Sequence, residues 1–313
     1  MRWRKGERSR NLEDRRAQTG RGRGRSPFGR GGSPVRLPLP TGRGGKMSIW
    51  SLLLMLGVMW FLGINPLSLL TGGGLGGGLG GGTQVGVDPF GGGADVAAGA
   101  PFRASPQEEE LVDFVSFTLD DLQSTWVRLL PGYRDARLVL FRGATRSACG
   151  TGQREMGPFY CPGDQKVYID LSFYQDLRTR FGAPGDFAQA YVLAHEIGHH
   201  IQKLTGIEER VRSQQRASRS EANRLSVAME LQADCLAGVW GHDAAKRGIL
   251  EPGDVEEGLR AAAAIGDDRI QEMSGGGVHP ESFTHGSSAQ RTEWLRRGLE
   301  RGDPNACDTF GRR

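Results

Sequence analysis

The sequence predicts a helix-dominated α+β domain that follows a disordered basic tail and one transmembrane helix. Three observations support this fold class. Positive charge is concentrated in residues 1–46, an uncharged apolar run occupies residues 48–70, and helical and strand-like apolar patterns alternate only after residue 105. The roughly 200 residues that remain are enough for one buried core.

The basic tail differs sharply in charge from the rest of the chain. Residues 1–46 contain 14 Arg and Lys against three acids, a charge of +11, while the whole chain carries +4, so residues 47–313 carry −7. The high pI is therefore no evidence that the folded part binds nucleic acid, which is not the partner we expect. Residues 17–46 are mainly Arg, Gly, Pro and Ser, so we predict a disordered tail over 1–46. Contacts of this tail with RNA or anionic lipid stay open as additions.

Residues 48–70 have the length and composition of a membrane-spanning helix. The run has no charged residue, and about 20 helical residues cross a hydrocarbon core of about 30 Å. A buried core helix would show a polar stripe, and a cleaved signal peptide would show a small-residue cleavage site close behind the run. We therefore predict an uncleaved anchor in the lipid bilayer. By the positive-inside rule, Lys and Arg that flank a membrane helix lie on its cytoplasmic side. Residues 1–46 are therefore expected in the cytoplasm and the folded domain on the extracytoplasmic side.

The folded domain is predicted over residues 105–313, after a Gly-rich linker over 71–104. Ser105 and Pro106 are typical of a helix start, and the apolar spacing behind them is helical. The runs RLVLF at 137–141 and VYIDL at 167–171 predict strands. Further helices are predicted at about 185–204, 208–219, 221–242, 252–264 and 287–300.

The four cysteines are an even number in a compartment that would permit disulfides. They allow three pairings, of which we favour Cys149–Cys161, across a short Gly-rich loop, and Cys235–Cys307, which would fix the C-terminal tail to a helix. Four reduced and buried thiols are the alternative, because free cysteine is often buried.

The run HEIGHH at 195–200 carries the strongest signal for chemistry. His195 and His199 are four residues apart, so on a helix both imidazoles project from one face and can reach one Zn²⁺. Glu196 lies beside the first ligand and can take a proton from a water that the metal activates. Two solvated surface histidines are the alternative, but the apolar flanks indicate a buried helix. His200 points away from the shared face, so we expect no ligation by it.

A third ligand is predicted in ELQADC at 230–235. Glu230 and Asp234 are also four residues apart on a predicted helix and share a face. Glu230 would complete a His/His/Glu set, and Asp234 could accept the N–H of a ligand histidine and fix its tautomer. Two solvated carboxylates are the alternative, which the apolar residues around them disfavour.

These motifs resemble those of the predicted neutral zinc metallopeptidases of bacteria. The resemblance runs over most of the chain and is carried by MRW at 1–3, NLEDRR at 11–16, GPFYCP at 157–162, VYID at 167–170, HEIGHH at 195–200, ELQADC at 230–235 and FTHGSS at 283–288. It implies a zincin-like metallopeptidase domain, and the spacing of Glu230 and Asp234 is similar to that of gluzincin peptidases.

The expected reaction is hydrolysis of an amide bond in a protein or peptide substrate, with Glu196 as the base. The developing oxyanion needs a further donor, for which His285 is the candidate and Tyr160 or Tyr168 the reserves. The strand over 167–173 could offer its edge to an extended peptide.

Two other functions remain open at the level of sequence. One is a non-catalytic, membrane-anchored binding protein whose zinc only stabilises the fold. Glu196 argues against it, since a structural zinc site needs no such base and more often uses Cys ligands. The other is a latent peptidase whose cleft is blocked by the linker or by a partner.

Overall fold

The first and the last of the described α-helices begin at serine caps. The computed structural model describes residues 1–18, 103–275 and 277–311. The Ser105 side chain accepts a hydrogen bond from the Glu108 amide at 3.2 Å, and Ser287 and Gln290 form a reciprocal capping box. In these ranges the helices are α1 (Pro106–Leu129), α2 (Ser172–Thr179), α3 (Asp186–Leu204), α4 (Ile207–Ala217), α5 (Ala222–Lys246), α6 (Asp254–Ala264), α7 (Asp267–Met273) and α8 (Ser288–Arg301). The predicted helix-dominated α+β class is confirmed.

The strands form one mixed sheet and one small hairpin. They are β1 (Leu12–Asp14), β2 (Arg137–Phe141), β3 (Ala144–Ser147), β4 (Gly150–Gln153), β5 (Phe159–Cys161) and β6 (Lys166–Asp170). The sheet order is β1-β2-β6-β5, in which β1, β2 and β6 run parallel and β5 runs antiparallel to β6. Strands β3 and β4 form the hairpin. The apolar runs predicted as strands are thus the two central strands of the sheet.

Small residues let the central helices approach closely. A Cβ on Gly198 would lie 2.9 Å from the Ala233 Cα, so α3 and α5 are in backbone contact at this point. A Cβ on Gly298 would lie 2.0 Å from the Cys235 carbonyl oxygen, which places α8 equally close to α5. Because side chains larger than Gly would separate these helices, the two contacts fix the relative positions of α3, α5 and α8.

Residues 1–18, which we name the N-terminal segment, pack into the same compact unit as residues 103–311. Strand β1 pairs with β2 over Leu12–Asp14, and the Trp3 ring lies edge-on to Phe114 with centroids 5.5 Å apart. The predicted disorder of the tail is therefore wrong for these residues, because strand pairing and ring packing hold them on the domain. The folded unit also begins before residue 105.

A transmembrane anchor and a Gly-rich linker were also predicted in the N-terminal third of the chain. The anchor predicted at 48–70 and most of the linker predicted at 71–104 lie outside the described residues. Among the residues that the structure does describe, none of the helices combines the length and the apolar character required to cross a bilayer. Membrane anchoring therefore stays a prediction.

Acid is expected to weaken the attachment of the N-terminal segment. The hydrogen bond from Arg15 lowers the pKa of Glu13 to about 2. Lys166 acts in the same direction, and burial opposes it. Because this pKa lies below the ordinary value of about 4.3, the stabilisation is complete above that pH and is lost as the pH falls towards 2. The Glu13 side chain is 37% exposed, so screening limits the contribution to about 1 kcal/mol.

Urea unfolding of the full chain and of Glu13→Gln, at pH 7 and at pH 3, measures this contribution. The free energies of unfolding should differ by about 1 kcal/mol at pH 7 and by roughly half of that at pH 3. Since both proteins share every other titrating group, a difference of equal size at both pH values would contradict the prediction.

Both favoured disulfides are present. Cys149 is bonded to Cys161 and Cys235 to Cys307, at sequence separations of 12 and 72 residues. The first closes the loop that contains the β3–β4 hairpin, and the second ties the C-terminal 3₁₀ turn Pro304–Cys307 to α5. In the part of the chain that the structure describes, no cysteine is left free.

Loss of the longer-range disulfide is expected to destabilise the fold more than loss of the shorter one. A cross-link that closes a longer loop removes more entropy from the unfolded chain, about 4 kcal/mol for the Cys235–Cys307 loop against about 3 kcal/mol for the Cys149–Cys161 loop. Paired Cys→Ala variants, unfolded in urea without reductant, give the two values. A larger loss for the Cys149/Cys161 variant would contradict this ranking.

Candidate metal centre

The two predicted ligand histidines lie side by side on α3. His195 and His199 are one turn apart, with ring centroids 4.9 Å apart and planes nearly perpendicular. The helix is apolar around much of its circumference and His195 and Glu196 are each only 7% exposed. Two imidazoles and a carboxylate in such surroundings need a common partner, because unpaired buried charge is costly.

Glu230 on α5 completes the group across the Gly198–Ala233 contact. Its Oε2 lies 3.1 Å from the His195 Nε2, and its Oε1 lies 3.4 Å from the His199 Nε2. The donor atoms of the three residues all lie within 4.8 Å of one another. Two imidazole nitrogens and one carboxylate oxygen are a donor set of catalytic zinc sites, so the residues fit this metal.

Hydrogen bonds fix both histidines in the tautomer that ligation needs. The His195 Nδ1 lies 2.7 Å from the Asp234 carboxylate, as predicted, and the His199 Nδ1 lies 2.9 Å from the Gln202 side-chain oxygen. Because an oxygen that only accepts faces each Nδ1, that nitrogen carries the proton and the Nε2 is left for a metal. The Gln202 amide is itself held by the Met229 carbonyl at 2.7 Å.

Asp234 is held in turn by a buried arginine that the sequence analysis missed. Arg291 on α8 donates to both carboxylate oxygens of Asp234 at 2.9 Å, and the Tyr191 hydroxyl donates to the same carboxylate at 2.6 Å. The side chains of Asp234 and Arg291 are 0% and 4% exposed. A signal was available, since Arg291 precedes Leu295 and Gly298 on the buried face of α8, where a charge requires a partner.

These contacts shift the titration of the group. Burial opposes ionisation of Asp234, but Arg291 and His195 lower its pKa below the usual range. Burial also opposes a charge on His195, yet Asp234 and Glu230 raise its pKa to about 10. A metal must therefore displace a proton from His195, which couples binding to pH. Burial raises the pKa of Glu196, the direction expected for a base.

The centre opens into a cleft of about 980 Å³. Glu196 lines it together with two of the predicted oxyanion donors, Tyr160 and His285. The His285 loop is fixed by Asp267, which accepts from the backbone amides of Thr284 and His285 at 2.7 Å. The hydrogen bond to Asp267 raises the pKa of His285 and favours its protonated form.

The other tyrosine and the sixth residue of HEIGHH lie elsewhere. Tyr168 donates to Asp164 at 2.7 Å and does not line the cleft. The His200 Nε2 donates to the Arg134 carbonyl at 2.6 Å, so its Nδ1 accepts from the Tyr160 hydroxyl at 3.0 Å. His200 thus faces away from the metal ligands, as expected, and orients a tyrosine of the cleft.

The strand predicted to offer a free edge is paired on both sides. Strand β6 lies between β2 and β5 and ends at Asp170, where α2 soon follows. The prediction of an exposed edge over 167–173 is therefore wrong, because a three-residue strand that the sequence analysis missed covers it. Strand β5 is the edge of the described sheet, and its Phe159 and Tyr160 line the cleft.

A second acidic group in the described residues is already contacted by a cation. Asp186, Asp254 and Glu257 bring carboxylate oxygens within 4.8 Å of one another. The α-amino group of Met1 lies 2.7 Å from Asp186 and 3.4 Å from Asp254. Asp186 and Asp254 therefore bind the N-terminal segment, and we assign no metal to this group.

Fold and site together define a helix-dominated α+β protein in which an HExxH helix and a glutamate from a second helix could hold a metal ion. The chain belongs to the family described as "Putative neutral zinc metallopeptidase", which matches residues 1–310. It is 47% identical over 318 residues to the uncharacterized protein YpfJ of Escherichia coli (strain K12), covering 100% of this chain and 99% of YpfJ. The uncharacterized protein Rv2575 of Mycobacterium tuberculosis is 46% identical over 204 residues, 62% of this chain and 68% of that protein. No solved structure matches the chain significantly.

Proposed function

We propose that the protein is a zinc-dependent peptidase with a zincin-like catalytic domain. The observation that carries this proposal is the placement of Glu196 beside a completed His/His/Glu donor set. A purely structural zinc site is almost always closed by four protein ligands and needs no further carboxylate in a cleft. Glu196 supplies that carboxylate, which favours catalysis over a zinc-stabilised binding protein.

The residues of the centre divide the work of amide hydrolysis. His195, His199 and Glu230 would hold a Zn²⁺ ion, whose Lewis acidity would lower the pKa of a water and polarise a carbonyl. Glu196 accepts a proton from the attacking water as its oxygen adds to the carbonyl carbon. The same carboxyl group then gives the proton to the amine as the C–N bond breaks.

The negative charge that develops on the carbonyl oxygen needs a donor in the cleft. His285 is the first candidate because Asp267 holds its Nδ1 and favours the protonated ring, which leaves the Nε2 hydrogen to donate. Tyr160 is the second candidate, although its hydroxyl proton is engaged by His200 in the free protein.

The substrate class that fits this cleft is an extended peptide. Strand β5 is a sheet edge beside the centre, so a peptide backbone can pair with it as an added strand. The adjoining wall is apolar and includes Phe173, Phe181 and Val192. We therefore propose unfolded or extended protein segments as substrates.

Attachment to the lipid bilayer by residues 48–70 is a further part of the proposal, supported by the composition of that run. The two disulfides support an oxidising, extracytoplasmic location for the domain.

Removal of the metal is expected to abolish hydrolysis reversibly. The full chain should contain about one zinc per molecule, cleave an unfolded protein such as casein, lose this activity in a chelator and regain it with zinc. Zinc content is read by elemental mass spectrometry and cleavage by the release of new amino termini. Because the alternative is a zinc-stabilised binding protein, a chain that holds one zinc but cleaves no member of a broad peptide library would contradict the proposal.

A further inference from the structure

The contact between the N-terminal segment and the rest of the folded unit limits the possible membrane topologies of the chain. A single crossing by residues 48–70 would separate residues 1–46 from residues 71–313 by a bilayer. We infer that residues 1–18 and 103–311 lie on the same side of the membrane. This arrangement replaces the opposite-side topology that the charge pattern predicts.

Backbone pairing is the first observation behind this inference. Strand β1 lies parallel to β2 with Leu12, Glu13 and Asp14 in register with Leu138, Val139 and Leu140. The pairing is bounded on both sides by backbone hydrogen bonds, from the Leu138 amide to the Asn11 carbonyl at 2.9 Å and from the Arg15 amide to the Leu140 carbonyl at 2.8 Å. Without β1, the buried central strand β2 would have an unpaired edge.

A buried arginine joins the two parts near the end of the N-terminal segment. Arg16 is 3% exposed and contacts Glu108 and Glu109 of α1, each at 2.9 Å. Glu108 lies in the first turn of α1. The end of the N-terminal segment and the start of α1 are therefore in contact, whereas one crossing between them would place them at least the thickness of the hydrocarbon core apart, about 30 Å.

The charge of the segment is complementary to the domain. Seven of the 14 cations in residues 1–46 lie in residues 1–18. Among them, Lys5 lies 2.6 Å from Asp113 and Arg8 lies 2.7 Å from Asp113 and 2.6 Å from Glu109. These charges meet the acids of the body, so they are not available as the free positive charge that orients a membrane segment.

The charge pattern of the intervening chain makes a second, compensating crossing costly. Residues 19–46 hold the other seven cations and no acid. To bring the N-terminal segment back to the domain after a single crossing, this stretch would have to enter the hydrocarbon core with charges that have no partners in it. A single crossing between residues 18 and 103 is therefore incompatible with the contact between the N-terminal segment and the domain.

Labelling of single cysteines in the full chain, expressed in intact bacterial cells, tests the inference. Glu7→Cys reports on the N-terminal segment and Arg296→Cys on α8; both side chains are exposed. A membrane-impermeant maleimide is applied before and after permeabilisation. We expect the two positions to react under the same condition, both before or both only after permeabilisation. Reaction of one position before and of the other only after permeabilisation would overturn the inference.

A cross-link measures the contact itself and does not depend on peptidase activity. The Asn11 amide lies 2.9 Å from the Asp135 carboxylate at the surface, so the Asn11→Cys/Asp135→Cys pair should react with a short bifunctional maleimide in the cell-expressed chain. Asn11→Cys with Arg296→Cys is the matched control and should not cross-link. Equal reaction of the two pairs, or none of either, would overturn the contact.

Discussion

Replacing Glu196 by Gln is expected to lower kcat/KM for peptide hydrolysis by about 10²–10⁴-fold. The amide has nearly the shape of the carboxylate but cannot accept the proton of the attacking water. Glu196 is not one of the three donors of the metal centre, so zinc content should stay at about one per molecule. The measurement is steady-state peptide cleavage together with zinc content for the two proteins.

Glu155→Gln is the matched control for this prediction. Glu155 is an exposed acid that lines the same cleft, and the substitution makes the same change from carboxylate to amide. Its kcat/KM should stay close to that of the unmodified chain. Should Glu196→Gln lose zinc as well, or cleave at an undiminished rate, the assignment of Glu196 as the base would be wrong.

Replacing Arg291 by Met is expected to lower the free energy of unfolding by about 3–5 kcal/mol. The change leaves the Asp234 carboxylate buried at 0% exposure without the cation that contacts both its oxygens. Because Asp234 orients the His195 ring, zinc affinity should also fall, by about 10–100-fold. Urea unfolding of the metal-free chain and competition with a metal chelator separate these two effects.

Two further variants control for helix and charge effects. Arg296→Met removes an exposed arginine from the same helix and should change stability by less than about 0.5 kcal/mol. Asp234→Asn in the Arg291→Met background removes the unpaired charge and should recover part of the lost stability. An Arg291→Met chain as stable as the Arg296→Met chain would show that the buried ion pair does not stabilise the fold.

Periodic patterns predicted the long elements of the fold within a few residues. Helix α3 was expected at 185–204 and spans Asp186–Leu204, and the Ser105 cap sits where the sequence placed it. Strands β1 and β5 were missed, because three residues are too few to show an alternating pattern. Strand β1 pairs with residues more than a hundred positions away in the sequence, and strand β5 pairs with residues about seven positions away.

The same distinction holds for the candidate site: residues spaced along one helix were predicted, and their partners from elsewhere were not. The spacing within HEIGHH placed His195 and His199 on one face, since four residues make about one helical turn. The spacing within ELQADC did the same for Glu230 and Asp234. The sequence did not predict the partners of these four residues. Gln202 contacts His199, and Tyr191 and Arg291 contact Asp234.

The sequence by itself determined the family, the helical class and the chemistry of the donor groups, because these depend on residue types and on spacing along single helices. Only the tertiary structure decided that Glu230 faces the histidines, that Arg291 neutralises Asp234, and that residues 1–18 belong to the folded unit. Each of these is a contact between elements distant in the chain. Such contacts depend on how closely helices and strands pack, as at the Gly198–Ala233 approach, and local periodicity carries no record of that distance.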